Sequence, residues 1–135
     1  TTIADLSKFV AALARHEGLS AGSYAEMLRP QLHIGTAHQF PNFAPELPVA
    51  RQRKDLFAGL GLVVFEGPQG RGFFKGGHDE QTANMLVCLE RTRDCVLIMS
   101  NDVRAEAGFA GLIKAILGDA GFPSDWEYGD RAGKS

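Results

Sequence analysis

The chain has 135 residues, 44% hydrophobic and 22% charged, the composition of one globular domain able to bury a core. Its 14 basic and 16 acidic side chains leave a formal charge of −2, too little field to gather nucleic acid or an acidic membrane surface. No apolar run approaches the roughly 18 residues of a membrane span, and the amino terminus does not read as a signal peptide, so a soluble chain is expected.

Residues 1–30 read as two helices. Ile3, Leu6, Phe9, Val10 and Leu13 recur at helical spacing, with Thr2 placed to cap, Asp5 three residues later, and an end expected near Gly18. Ser20 is placed to cap a shorter helix through Tyr24, Met27 and Leu28, which Pro30 stops. Residues 31–55 show no period and contain Pro41, Pro45 and Pro48; a loop of this length in a compact domain is expected to cover a site. The basic run Arg51 to Lys54 within it reads as a solvated loop.

Strands follow over residues 56–101. LFAGLGLVVFEG (56–67) reads as one strand, GPQG as a turn and RGFFKGG (71–77) as its hairpin partner; ANMLVCLE (83–90) and CVLIMSN (95–101) form a second pair. Four strands joined by short turns imply an antiparallel meander. Phe109, Leu112, Ile113, Ile116 and Leu117 then mark a closing helix over 103–118, with Gly118 as terminator. The tail, 119–135, reads as loop, docked on the body by Trp126 and Tyr128. The fold class is therefore α+β, a sheet of about four antiparallel strands flanked by amino- and carboxy-terminal helices, in a single domain or fragment. If Arg91 to Asp94 form the turn between the last two strands, Cys88 faces Leu97, and Cys88 and Cys95 are only diagonal neighbours. Two reduced, buried thiols are expected, which leaves the compartment open.

The stretch GFFKGGHDE (72–80) carries the densest chemistry. Phe73 and Lys75 point to one face of their strand and Phe74 to the other. Gly76 and Gly77 bare the main chain to any molecule lying against it, and backbone N–H groups aimed at a developing oxyanion contribute about 3 kcal/mol to a transition state. By itself such a motif also suits a softened strand end with a surface lysine. His78, Asp79 and Glu80 point apart on an extended chain and have no second ligand group at matching spacing, so no metal is expected. His33 and His38 read as lid or solvent contacts, and His16 suits the negative end of the first helix. Thr1, as an amino-terminal nucleophile, would have to sit at a strand end, whereas here it precedes a helix. Ser124-Asp125 and Ser100 to Asp102 have no histidine partner implied by spacing.

The order of these pieces resembles the carboxy-terminal part of serine hydrolases with the β-lactamase and penicillin-binding-protein fold, in particular the class C and esterase-like branch. The resemblance covers nearly the whole chain: TTIADLSKF, the helix from Ser20 to Leu28, GLGLVVF, KGGHDEQTANM, CVLIMSND, the closing helix, and WEYG at Trp126 to Gly129 as in some proteobacterial members. It implies that Lys75, Gly76 and Gly77 stand where the family has its third motif, with Lys75, Gly77 and the His78 main chain as catalytic groups and Gly76 and Asp79 on the substrate side. It implies no cofactor, and as substrates small esters, amides or lactams hydrolysed through an acyl-serine. The family's S-x-x-K nucleophile is missing from this sequence, as is a Y-x-N at the expected place, so the chain alone is expected to be inactive, with association as a homo-oligomer or with an absent amino-terminal part. Gly76 replaces the usual Thr or Ser, which argues against β-lactams and for esters or amides. The alternative is a non-catalytic structural or interaction module with the same sheet.

Overall fold

The computed structural model describes residues 1–41 and 43–129. Among these, helix α1 spans Ile3–Ala14 and α2 Ala21–Leu28. Thr2 Oγ1 accepts the Asp5 N–H at 3.1 Å and Ser20 Oγ accepts that of Ser23 at 3.1 Å, so both expected caps form. Helix α1 stops a turn before Gly18 because His16 takes φ 61° and lays its ring on Tyr24, with centroids 3.8 Å apart.

The sheet has six described strands rather than about four, in the order β1 to β6 with every neighbour antiparallel. They are β1 (Leu32–His33), β2 (Leu56–Ala58), β3 (Val63–Gly67), β4 (Gly70–His78), β5 (Ala83–Leu89) and β6 (Cys95–Ser100). One added strand comes from the long loop, where Leu32 and His33 pair with Ala58 and Phe57. The other comes from 56–67, which folds back on itself: Gly61 adopts φ 79°, open to glycine at little cost, and the Gly59 N–H donates to the Leu62 carbonyl at 2.9 Å. The expected GPQG turn joins β3 to β4 through the Gly67↔Gly70 pair.

The expected pair of free thiols is overturned: Cys88 and Cys95 form a disulfide. The four-residue loop lies one position earlier than expected, over Glu90 to Arg93, because Arg93 takes φ 62° and its N–H closes on the Leu89 carbonyl at 2.9 Å. That register sets Cys88 directly opposite Cys95.

Helix α3 runs Glu106–Leu117 after a 3-10 turn over Val103–Ala105, and Gly118 ends it at φ 72°. Phe109, Ile113 and Leu117 are buried, whereas Leu112 and Ile116 of the same apolar run stay exposed. The tail is not all loop: Ser124–Tyr128 form a short helix, α4, and Trp126 and Tyr128 are buried as anchors. Residues 130–135 of the expected tail lie outside the described residues.

Side-chain alternation sorts the core into two clusters, one on each face of the sheet. Val10, Tyr24 and Leu28 of α1 and α2 pack on Phe73 and Cys88. Phe65, Phe74, Met85 and Val87 meet Phe109, Ile113, Trp126 and Tyr128 on the opposite face. Phe74 is the hub of the second cluster, edge-on to Phe122 at 5.1 Å and to Trp126 at 6.3 Å, contacts of about 0.5–1.5 kcal/mol each beyond burial. Strand β4 thus carries Phe73 and Lys75 toward α1 and α2, and Phe74, Gly76 and His78 toward α3 and α4.

Candidate functional site

The end of β4 is where the sheet opens. Strand β3 starts at Val63, opposite Phe74, so residues 75–78 are paired only on the β5 side. The Glu90 N–H bonds the Arg71 carbonyl and the Asp79 N–H bonds the Thr82 carbonyl, which places the odd residues of β4 in the β5 ladder. By the alternation of antiparallel ladders, the main-chain groups of Gly76 and His78 face the vacated side, whereas those of Gly77 face Asn84. A notch of about 300 Å³ lies there, between Gly61, Leu62 and Val63 on one wall and Lys75, Gly76 and Glu127 on the other, with Gln39 across it.

Lys75 is exposed, and its Nζ donates to the Gly76 carbonyl at 2.5 Å. The same lysine borders a larger apolar hollow of about 590 Å³ on the α1 and α2 side, between Phe9, Leu13, Leu19, Leu60 and Leu86. His78 turns its ring to α3, with Nδ1 2.9 Å from Oε1 of the buried Glu106, and Phe40 of the long loop lies 5.5 Å from it. Asp79 faces its own turn: its Oδ1 accepts the N–H groups of Thr82 at 2.6 Å and Gln81 at 2.7 Å, and these bonds hold its carboxyl below the usual carboxylate range. The five residues singled out in the sequence therefore sit together at one strand end, with Lys75 and Gly76 on the notch, His78 beyond it on the same unpaired edge, and Gly77 and Asp79 engaged with β5 and its turn.

Sequence reasoning missed Glu127, placed by the helix that was expected to be loop. It is 8% exposed and stands against the bare Cα of Gly76; any β-carbon there would run into its Oε1. Burial pushes its carboxyl up to about 7, with Lys75 and His78 opposing and Glu106 reinforcing the rise. Turned to donate, the Gln39 amide nitrogen lies 2.8 and 3.2 Å from the two carboxyl oxygens. Tyr128 beside it is driven above its ordinary range, first by burial and then by Glu127 and Glu106. The one sequence signal for this pair of glutamates was an acidic residue within an apolar stretch, as in DWEYG and EAGF.

The long loop does cover this end of the sheet. The Gln39 N–H donates to the Trp126 carbonyl at 2.9 Å, Trp126 Nε1 to Thr36 Oγ1 at 3.2 Å, and His38 Nδ1 lies 3.2 Å from the Asp125 carbonyl. Arg53, expected as a solvated loop residue, instead grips both Asp55 and Asp125, with Nη1 2.9 and 2.8 Å from the two Asp125 oxygens. His33 Nε2 is bonded to the Arg53 carbonyl at 2.5 Å. Among the described residues no group of three metal-ligating side chains converges, and no helix is long and apolar enough to cross a membrane. Comparison with protein families, with curated proteins and with solved structures found no match.

Proposed function

We propose that this chain supplies the lysine and oxyanion half of a serine-hydrolase site with a β-lactamase-like fold, acting on small esters or amides through an acyl-serine whose nucleophile lies outside these 135 residues. The observation that carries the reading is the open edge of β4, where the Gly76 main chain borders a notch beside the Lys75 ammonium and the His78 main chain continues the same unpaired edge. Amide hydrogens fixed in a sheet need no reorganisation to receive an oxyanion, and a nearby cation adds to the field at the same point. Lys75 would anchor the developing charge, the His78 N–H would donate to it, and Gly76 would offer its bare main chain along the same edge.

The glycine at 76 also bears on substrate class. Glu127 occupies the volume that a Thr or Ser side chain would need, so a hydroxyl to grip a lactam carboxylate has no place on this strand. Esters and amides are favoured for that reason.

Activity-based labelling tests the reading. The isolated chain takes no label from a fluorophosphonate or a fluorescent penicillin, while a polypeptide carrying an S-x-x-K segment ahead of Thr1 is labelled by the fluorophosphonate. In that polypeptide Lys75→Ala slows labelling by about 100-fold, the scale of one lost oxyanion contact. A labelled serine within the 135 residues, or labelling indifferent to Lys75→Ala, overturns the proposal.

A further inference from the structure

Gly76 stands between two charged groups of opposite sign. Lys75 Nζ holds its carbonyl at 2.5 Å, and Glu127 lies against its Cα, both groups lining the same notch. Both border the notch, and Glu127 reaches its edge because position 76 carries no side chain. Glu127 in turn touches Gln39 of the covering loop, and an amide suits both protonation states: its nitrogen donates to a carboxylate, and its oxygen accepts from a protonated carboxyl.

We propose that Glu127 is the positioning residue for Lys75: as a carboxylate it draws the ammonium into the notch, and once protonated it leaves the amine on the Gly76 carbonyl while keeping its bond to Gln39. The catalytic consequence rests on the hydrolase reading above; the coupling itself does not. The groups around Glu127 agree with a proton held near neutrality. Lys75 and His78 on β4 favour its charged form, and Glu106 on α3 opposes it. On its own helix, Tyr128 is neutral and Asp125 is paired outward to Arg53; from the loop come Gln39, and His38 beside Gly129. Burial keeps the proton on Glu127 across the range where an exposed glutamate has lost it.

The test is an amide titration of the intact chain by NMR from pH 5 to 9. The Gly76 main-chain amide and the Gln39 side-chain amide are expected to move together through one midpoint near 7. Glu127→Gln abolishes that step. Lys75→Met, a change at an exposed position, raises the midpoint by about half a unit or more, since removing a cation weakens the carboxylate form. His78→Asn also raises the midpoint without removing it, which separates Glu127 from the imidazole. A step that survives Glu127→Gln, or a midpoint unmoved by Lys75→Met, overturns the coupling. Either result leaves the labelling experiment untouched, so the two ideas fail separately.

Discussion

A single methyl group at position 76 probes the packing on which both proposals stand. In Gly76→Ala the new β-carbon meets the Glu127 carboxyl and lies 2.9 Å from Met85 Cε. Met85 is a flexible neighbour and can give way, but Glu127 is buried and held by Gln39. Overpacking of this kind costs about 1–3 kcal/mol, against which alanine regains about 0.5–1 kcal/mol of the strand entropy that glycine loses. A net loss of about 0.5–2 kcal/mol remains, or about 2–8 °C in melting temperature for a domain of this size. Thermal denaturation followed by circular dichroism measures it. Gly77→Ala is the control: its β-carbon lies 3.1 Å from the amide oxygen of the exposed Asn84, which can rotate away, so a change within about 0.5 kcal/mol is expected. The double variant Gly76→Ala with Glu127→Ala should show a coupling of about 1 kcal/mol or more between the sites. If Gly76→Ala melts with the parent, or the cycle shows no coupling, Glu127 does not occupy that space and the arrangement of the notch is wrong.

Stability should depend on pH through Glu127. Its folded pKa, about 7, lies above the 4.5 of an exposed glutamate, so between those values the native state binds more protons than the unfolded one and stability falls as pH rises. Urea melts at pH 5 and pH 8 should differ by up to about 3 kcal/mol from this group, and Glu127→Gln should remove the difference; an unchanged slope in the variant would discard the assignment. The cross-strand disulfide, closing a loop of sequence separation 7, should add about 2–3 kcal/mol relative to the reduced chain. Urea midpoints with and without a reductant measure that contribution, and two reactive thiols in the denatured, unreduced protein would show that the bond does not form.

Local signals carried most of the architecture. Helices α1 and α2 announce themselves through Thr2, Ser20 and Pro30, because capping and termination depend on atoms within a few residues. The meander from β3 to β6 follows from alternation and short turns for the same reason. Where a decision rested on a partner far along the chain, or on one residue's backbone conformation in a turn, the sequence was silent or misleading. Strand β1 exists only because Leu32 and His33 find β2, and its two residues have no periodicity to display. The cysteines looked diagonal because one residue of loop position, decided by Arg93 in a left-handed conformation, resets the register of the whole hairpin.

The site divides along the same line. GFFKGGHDE declared a lysine beside bare backbone at a strand end, and the alternation of β4 settled which face each residue takes. Nothing in the run of letters placed Glu127 against Gly76, 51 positions away, or set Gln39 across from both. Those contacts arise because Trp126 and Tyr128 bury themselves on Phe74 and Phe109 and carry the intervening glutamate into a buried position. Short-range stereochemistry was thus written in the order of the residues, whereas the charge and protonation of the notch were decided by burial, which depends on the whole packed chain.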